Sequence, residues 1–118
     1  MSRAVLAASI ALAAVALTTS EGWAKVAYCK IDSAGLPSFR GQCLFDGEPD
    51  GSFALTNIDS SKPIVGEVEL VHVVVISSGV AEVRGLTRSG SNSRWGEAQR
   101  SARDPACWAG VDFRICAY

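Results

Sequence analysis

The chain has 118 residues, 48% of them hydrophobic, with 11 basic against 12 acidic side chains and a formal net charge of −1. That length excludes an assembly of several domains and leaves room for one thin core, which at this size is commonly stapled. The near-neutral balance excludes the bulk electrostatic pull on which many nucleic-acid and anionic-membrane binders rely.

Residues 1–24 read as a secretory leader. Arg3 supplies a short positive start, and Ala4 to Leu17 is apolar apart from Ser9. Thr18-Thr19-Ser20-Glu21 restores polarity, and Gly22 and Ala24 place small residues at −3 and −1 before Lys25. The apolar run falls short of the roughly 20 residues a spanning helix needs, so no membrane span is expected after cleavage. Cleavage after Ser20 is the main alternative, and an uncleaved buried N-terminal helix the other. The expected product is residues 25–118: one soluble domain, periplasmic or secreted, with ten basic and eleven acidic side chains once Arg3 and Glu21 are removed.

Cys29, Cys43, Cys107 and Cys116 form an even set in a short exported chain, the pattern of a disulfide framework. Four cysteines allow three pairings. Local pairing, Cys29–Cys43 and Cys107–Cys116, is expected because each pair flanks a turn. No C-x-x-C occurs, and the single histidine, His72, is distant in sequence from both pairs, so zinc is not expected.

In chain order, Ala27–Asp32 reads as a strand and Ser33-Ala34-Gly35 as a turn. Pro37 delays the next strand, Phe39–Phe45. A loop over residues 46–51 precedes a strand over 52–56, and a second loop follows to Pro63. Gly66–Ile76 is the clearest strand. Its alternation puts Val68, Leu70, His72, Val74 and Ile76 on one face, and its Val71–Ile76 end is apolar on both faces, as in a central strand. Ser77-Ser78-Gly79 is a three-residue hairpin connection, and Val80–Thr87 returns with Val83 opposite Glu82 and Arg84. Residues 88–103 read as loop or short helix: helix formers fill 97–103, but Gly96 and Pro105 limit any helix to two turns. The chain ends in a disulfide-pinned hairpin, Cys107–Ala109 and Phe113–Ala117 about a turn at 110–112, rich in aromatics. Short strands between Gly, Pro, Ser and Asp turns predict an all-β antiparallel sheet or small barrel stapled by two disulfides.

Chemistry-bearing motifs are few. Asp46-x-Glu48-x-Asp50-Gly51 imitates half a calcium loop, but Glu48 replaces the Asp or Asn at its third position and Asn57 stands where a bidentate Glu is required. An acidic turn is the expected reading. His72 lacks a patterned Ser or Asp partner, and oxidised cysteines offer no thiolate nucleophile. No catalytic residue, metal or cofactor is therefore assigned. The charge layout says more. Arg84, Arg88, Arg94, Arg100 and Arg103 accumulate against Glu97 alone, with Trp95 among them, while residues 25–71 carry seven acids and four bases. Arg and Trp are enriched at interface hot spots, and an arginine segment suits an acidic groove. A solvated surface with weak ion pairs is the plainer alternative.

The layout of Cys29, Gly41-x-Cys43 and Gly51-Ser52-Phe53, followed by Arg94-Trp95-Gly96-x-Ala98 and Ala106-Cys107-Trp108…Ile115-Cys116-Ala117, resembles small exported cysteine-containing proteins of Gram-negative bacteria. That resemblance spans most of the chain after the leader and implies no activity. Ser78-Gly79 and Trp95-Gly96-Glu97-Ala98 are similar to two segments of the periplasmic and membrane-bound inhibitors of c-type lysozyme. Those are small exported β-barrels whose Ser-Gly loop and later Trp-x-Lys-Gly segment enter the enzyme's cleft. Here no Tyr follows Ser78-Gly79, and Arg94 is the cation nearest Trp95. The resemblance implies Ser78 and Arg94 as contacts. The expected function is non-enzymatic protein binding, inhibitor-like toward a partner such as lysozyme, through Ser78, Gly79, Arg88, Arg94, Trp95 and Arg100. No nucleic acid is expected as a partner. A structural or envelope-stress protein without a cleft-directed partner, and a small hydrolase using His72, are the alternatives.

Overall fold

The computed structural model describes residues 23–118. The expected leader lies outside them, except for Trp23 and Ala24, which open the first strand and pair with Gly47 and Asp46. Eight strands follow one another: β1 (Trp23–Ser33), β2 (Phe39–Gly47), β3 (Phe53–Asn57), β4 (Val68–Ser77), β5 (Val80–Thr87), β6 (Asn92–Arg100), β7 (Cys107–Ala109) and β8 (Phe113–Ala117). Each pairs antiparallel with the next, and β8 closes onto β1 through Cys29↔Ala117 to Ser33↔Phe113. The result is a closed all-β barrel, which solves the problem of unpaired sheet edges by joining first strand to last. Among the described residues there is no helix, and hence none long and apolar enough to cross a membrane.

The alternation of each strand fills the barrel. Ala27, Cys29 and Ile31 of β1, Leu55 of β3, Val71 and Val73 of β4, and Ala81 and Val83 of β5 point inward and are buried, while Glu82 and Arg84 point out. Both disulfides have local connectivity, Cys29–Cys43 and Cys107–Cys116. Cys29 and Cys43 belong to the packed interior. Cys107 and Cys116 face each other across the β7–β8 hairpin. Intramolecular disulfides of this kind fit an oxidising compartment.

Three expectations need correction. Residues 88–103 are neither loop nor helix throughout: 92–100 form β6, which pairs with β5 from Val80↔Gln99 to Leu86↔Asn92. Two helical turns are marginal on their own, and seven cross-strand pairs override the helix-forming tendency of Glu97-Ala98-Gln99-Arg100. The reason the strand hides is a bulge. Val83 pairs with Gly96 but Arg84 with Arg94, so Trp95 is the extra residue and the period of two is broken there. Gly96, at φ 125°, takes a backbone conformation that a side chain would resist.

Second, β4 is not covered on both faces. Its inner side is Val68, Val71 and Val73, while Ile76 on the outer side is 61% exposed. A second bulge, between Val68 and Leu70, puts Val68 inside although it shares parity with Leu70. Third, Ser77 pairs with Val80, so the hairpin connection is the two residues Ser78-Gly79, with Gly79 left-handed at φ 73°.

Candidate functional site

Antiparallel order sorts the loops into two rims. One rim holds the β2–β3 loop, the Ser78-Gly79 turn, the loop 101–106 and the C-terminal Tyr118. The other holds the turns at 34–38, 88–91 and 110–112 and the loop 58–67. The first rim opens into a cavity of about 230 Å³ lined by Lys25, Ala27, Phe45, Gly51, Phe53, Arg100, Ala106, Trp108, Ala117 and Tyr118. Mouths of β-barrels are a preferred location for binding sites.

The chemistry of this mouth is aromatic and cationic. Phe45 lies two residues from the end of β2 on one side of the 48–52 loop, and Phe53 opens β3 on the other. Their rings stack at 4.9 Å. Trp108, 4% exposed, comes from β7. The Lys25 ammonium lies 5.5 Å from the centroid of the Phe45 ring, and the Arg100 guanidinium lies 5.5 Å from that of Trp108. Both separations are within the range of cation–π attraction, worth about 0.5–1 kcal/mol at exposed sites. Arg100 Nε donates to the Pro105 carbonyl at 2.7 Å, which fixes the plane of the guanidinium. Among the described residues, neither Lys25 nor Arg100 is in an ion pair.

Three acids stand in the loops of this rim, and each is engaged locally: Glu48 with His72, Asp50 with the Ser52 amide, and Asp104 with Tyr118. Asp104 accepts a hydrogen bond from the Tyr118 hydroxyl. That bond holds the Asp104 carboxyl below its ordinary range and, because ionising the phenol would set two negative charges side by side, raises Tyr118 above its ordinary value of 10.0. The signs define a window. A depressed carboxyl contributes stability above its unfolded pKa and loses it as pH falls through the folded one. A raised phenol contributes fully below its unfolded pKa and loses that contribution as pH rises through the folded one. Of the two tyrosines in the chain, Tyr118 is therefore expected to ionise above the ordinary range in a spectrophotometric titration. Asp104→Ala should return it toward that range, whereas an unchanged titration would show that the hydrogen bond does not govern it.

The six residues expected to meet a partner are not brought together as one patch. Ser78, Gly79 and Arg100 are neighbours on the cavity rim, with the Arg100 amide donating to the Gly79 carbonyl at 2.9 Å. Arg94 points outward from β6, six residues along the strand from Arg100, or roughly 20 Å at the rise of an extended chain. Its charge is paired: Arg94 Nη2 lies 2.6 Å from Glu82 Oε2, and Arg84 holds the other carboxylate oxygen at 2.9 Å. Together they pull Glu82 below its ordinary range, Arg94 most strongly. Arg88 sits on the opposite rim, where it donates to Glu69 at 2.9 Å and to the Ser61 carbonyl at 2.8 Å. Trp95 packs inward, its ring edge-on to Phe113 with centroids 5.9 Å apart. The absence of a side chain at Gly85 makes room for it, since a Cβ there would lie 2.9 Å from the indole nitrogen.

The remaining motifs resolve simply. In the acidic turn, Asp50 Oδ1 accepts from the Ser52 amide at 2.9 Å and Gly51 is left-handed. His72 Nε2 lies 3.2 Å from Glu48 Oε2 on the barrel surface. The Ser52 hydroxyl, 1% exposed, accepts from the Val75 amide at 2.9 Å. Sequence reasoning missed Lys25, Phe45, Phe53, Trp108 and Tyr118 as parts of one site. The nearest signal was the pair of phenylalanines flanking a single loop.

The fold and mouth define a small disulfide-stapled barrel open at one aromatic, cationic end. No family model matches the chain, and no curated protein or solved structure matches it.

Proposed function

We propose that this is an exported, non-enzymatic protein-binding domain that presents its open rim to an acidic cleft on a protein partner, with lysozyme the partner of choice. One observation carries the reading: the Ser78-Gly79 turn and Arg100 stand side by side, tied by the 2.9 Å bond from the Arg100 amide to the Gly79 carbonyl. Lys25 adds a second cation to the same mouth. Cations that are in no ion pair keep their charge for a partner, and complementary charge steers association and rejects wrong partners. The paired Arg88 and Arg94 are less available for that task. The disulfides and the leader-like start of the chain support an oxidising location, the periplasm or the exterior.

The test is a cell-wall lysis assay with c-, g- and i-type lysozymes and the oxidised protein recovered from cells expressing the full chain. Stoichiometric inhibition of one type is expected. Arg100→Glu should weaken it at least tenfold, about 1.4 kcal/mol of binding, with the melting temperature nearly unchanged. Arg94→Gln should leave inhibition as it was. No inhibition of any type, or full inhibition by Arg100→Glu, would remove this reading.

A further inference from the structure

The cavity behind the rim has a composition of its own, and it asks for a ligand smaller than a protein. Three aromatic rings line it, from Phe45, Phe53 and Trp108, while the Tyr118 ring turns toward Lys30, and the only charged side chains among its lining residues are Lys25 and Arg100. No Asp or Glu side chain is among the lining residues. Its hollow exists because Ala27, Gly51, Ala106 and Ala117 are small where a larger inward-facing residue would fill the space. The two cations rest against two separate aromatic faces, Phe45 and Trp108. Arg100 is anchored through Nε, which leaves its two terminal nitrogens without a hydrogen bond among the described residues. Those two nitrogens form the fork that grips a carboxylate bidentately.

The geometry points to a binding site for a small aromatic monocarboxylate. Its ring lies against the Phe45–Phe53 stack and Trp108, and its carboxylate meets Arg100 and Lys25. Size and charge both restrict the ligand. A volume of about 230 Å³ falls below the ~300–1,000 Å³ of most ligand clefts, so one ring system with a short acidic arm is the scale that fits. A cationic ligand meets two like charges. A neutral one leaves the guanidinium fork with nothing that replaces its water. Binding here goes beyond the rim-mediated reading above and needs no protein partner to be observed.

Indole-3-acetate is a suitable probe, with indole-3-ethanol as its neutral counterpart and tryptamine as its cationic one. Calorimetric titration of the oxidised protein should give saturable binding of the acid, at least tenfold weaker binding of the alcohol, and none of the amine. Arg100→Gln should weaken the acid at least tenfold and the alcohol by far less. Ala117→Leu, which fills the hollow without touching charge, should abolish binding of both, with a near-native melting curve showing that the barrel is intact. Equal affinity for acid and alcohol would overturn the carboxylate assignment. Undiminished binding to Ala117→Leu would place the ligand elsewhere, and no binding of the acid would overturn the site itself. None of these results depends on whether lysozyme is inhibited.

Discussion

Replacing both Cys29 and Cys43 by alanine is expected to cost about 3 kcal/mol, the loop-closure value for a loop of this length. The two residues are 14 apart in sequence, both are fully buried, and they belong to the packed interior. For a domain of this size, a loss on that scale lowers the melting temperature by roughly 12–24 °C. The serine pair should be worse. It places two hydroxyls in an apolar interior where the Ala27 carbonyl, 3.6 Å from Cys43 Sγ, is within reach of one of them. An unsatisfied buried hydroxyl adds about 1–3 kcal/mol. Removing Cys107 and Cys116, nine residues apart, should cost about 0.4 kcal/mol less on the same entropic relation. Thermal unfolding of the four-cysteine protein and the three double variants gives the ranking directly. An alanine pair at 29 and 43 that melts within about 5 °C of the parent would mean that strand closure, and not the bond, limits unfolding.

The disulfide pairing was legible because each pair straddles one hairpin, and antiparallel neighbours across a tight connection approach each other in any such fold. The same local logic made Val80–Thr87 legible, where Glu82 and Arg84 alternate with Ala81 and Val83. It failed at Asn92–Arg100. There Trp95 is an extra residue, so a strict period of two cannot be found, and Glu97 to Arg100 favour helix when read alone. The decisive fact is non-local: β5 needs a partner on its other side if the sheet is to close. The outer face of β4 teaches a related point. Val74 and Ile76 look like core residues, yet a single-layered barrel has no second layer to cover them, and only the count of layers reveals it.

The mouth was illegible for a different reason. Lys25, Phe45, Phe53, Arg100, Trp108 and Tyr118 come from both ends and the middle of the chain, and no spacing links them. Conversely, the arginines that looked like a single segment are divided by strand geometry. Arg100 reaches one rim, Arg88 the other, and Arg94 lies between them on the outside with Glu82. A run of like charges in sequence is a patch only where the chain stays on one surface. In a barrel strand, alternate residues face opposite sides, and ten residues carry the chain from one rim to the other.

Gly110→Ala is expected to destabilise the protein by about 1–3 kcal/mol, the usual range for forcing extra volume into a packed site. A Cβ at Gly110 would overlap Phe113 Cε1 and Cζ, so the ring must move. It has little room to do so. Phe113 is 5% exposed and meets the edge of Trp95, which itself occupies the space left by Gly85. The cost is steric and not conformational, because Gly110 is not among the glycines with positive φ. That distinguishes it from Gly79, where a Cβ meets nothing within 4 Å but φ is 73°. A double-mutant cycle separates these causes. With Phe113→Leu in place, the added methyl meets a smaller side chain, and Gly110→Ala should become nearly neutral, giving a coupling energy of about 1 kcal/mol or more. Urea unfolding of the parent, both single variants and the double variant measures it. If Gly110→Ala costs the same in both backgrounds, the Phe113 ring is not what requires glycine there. If the cost disappears with the ring, then Gly110, Phe113, Trp95 and Gly85 form one packed unit that joins the short β7–β8 hairpin to β5 and β6, where β6 and β7 share only two paired positions.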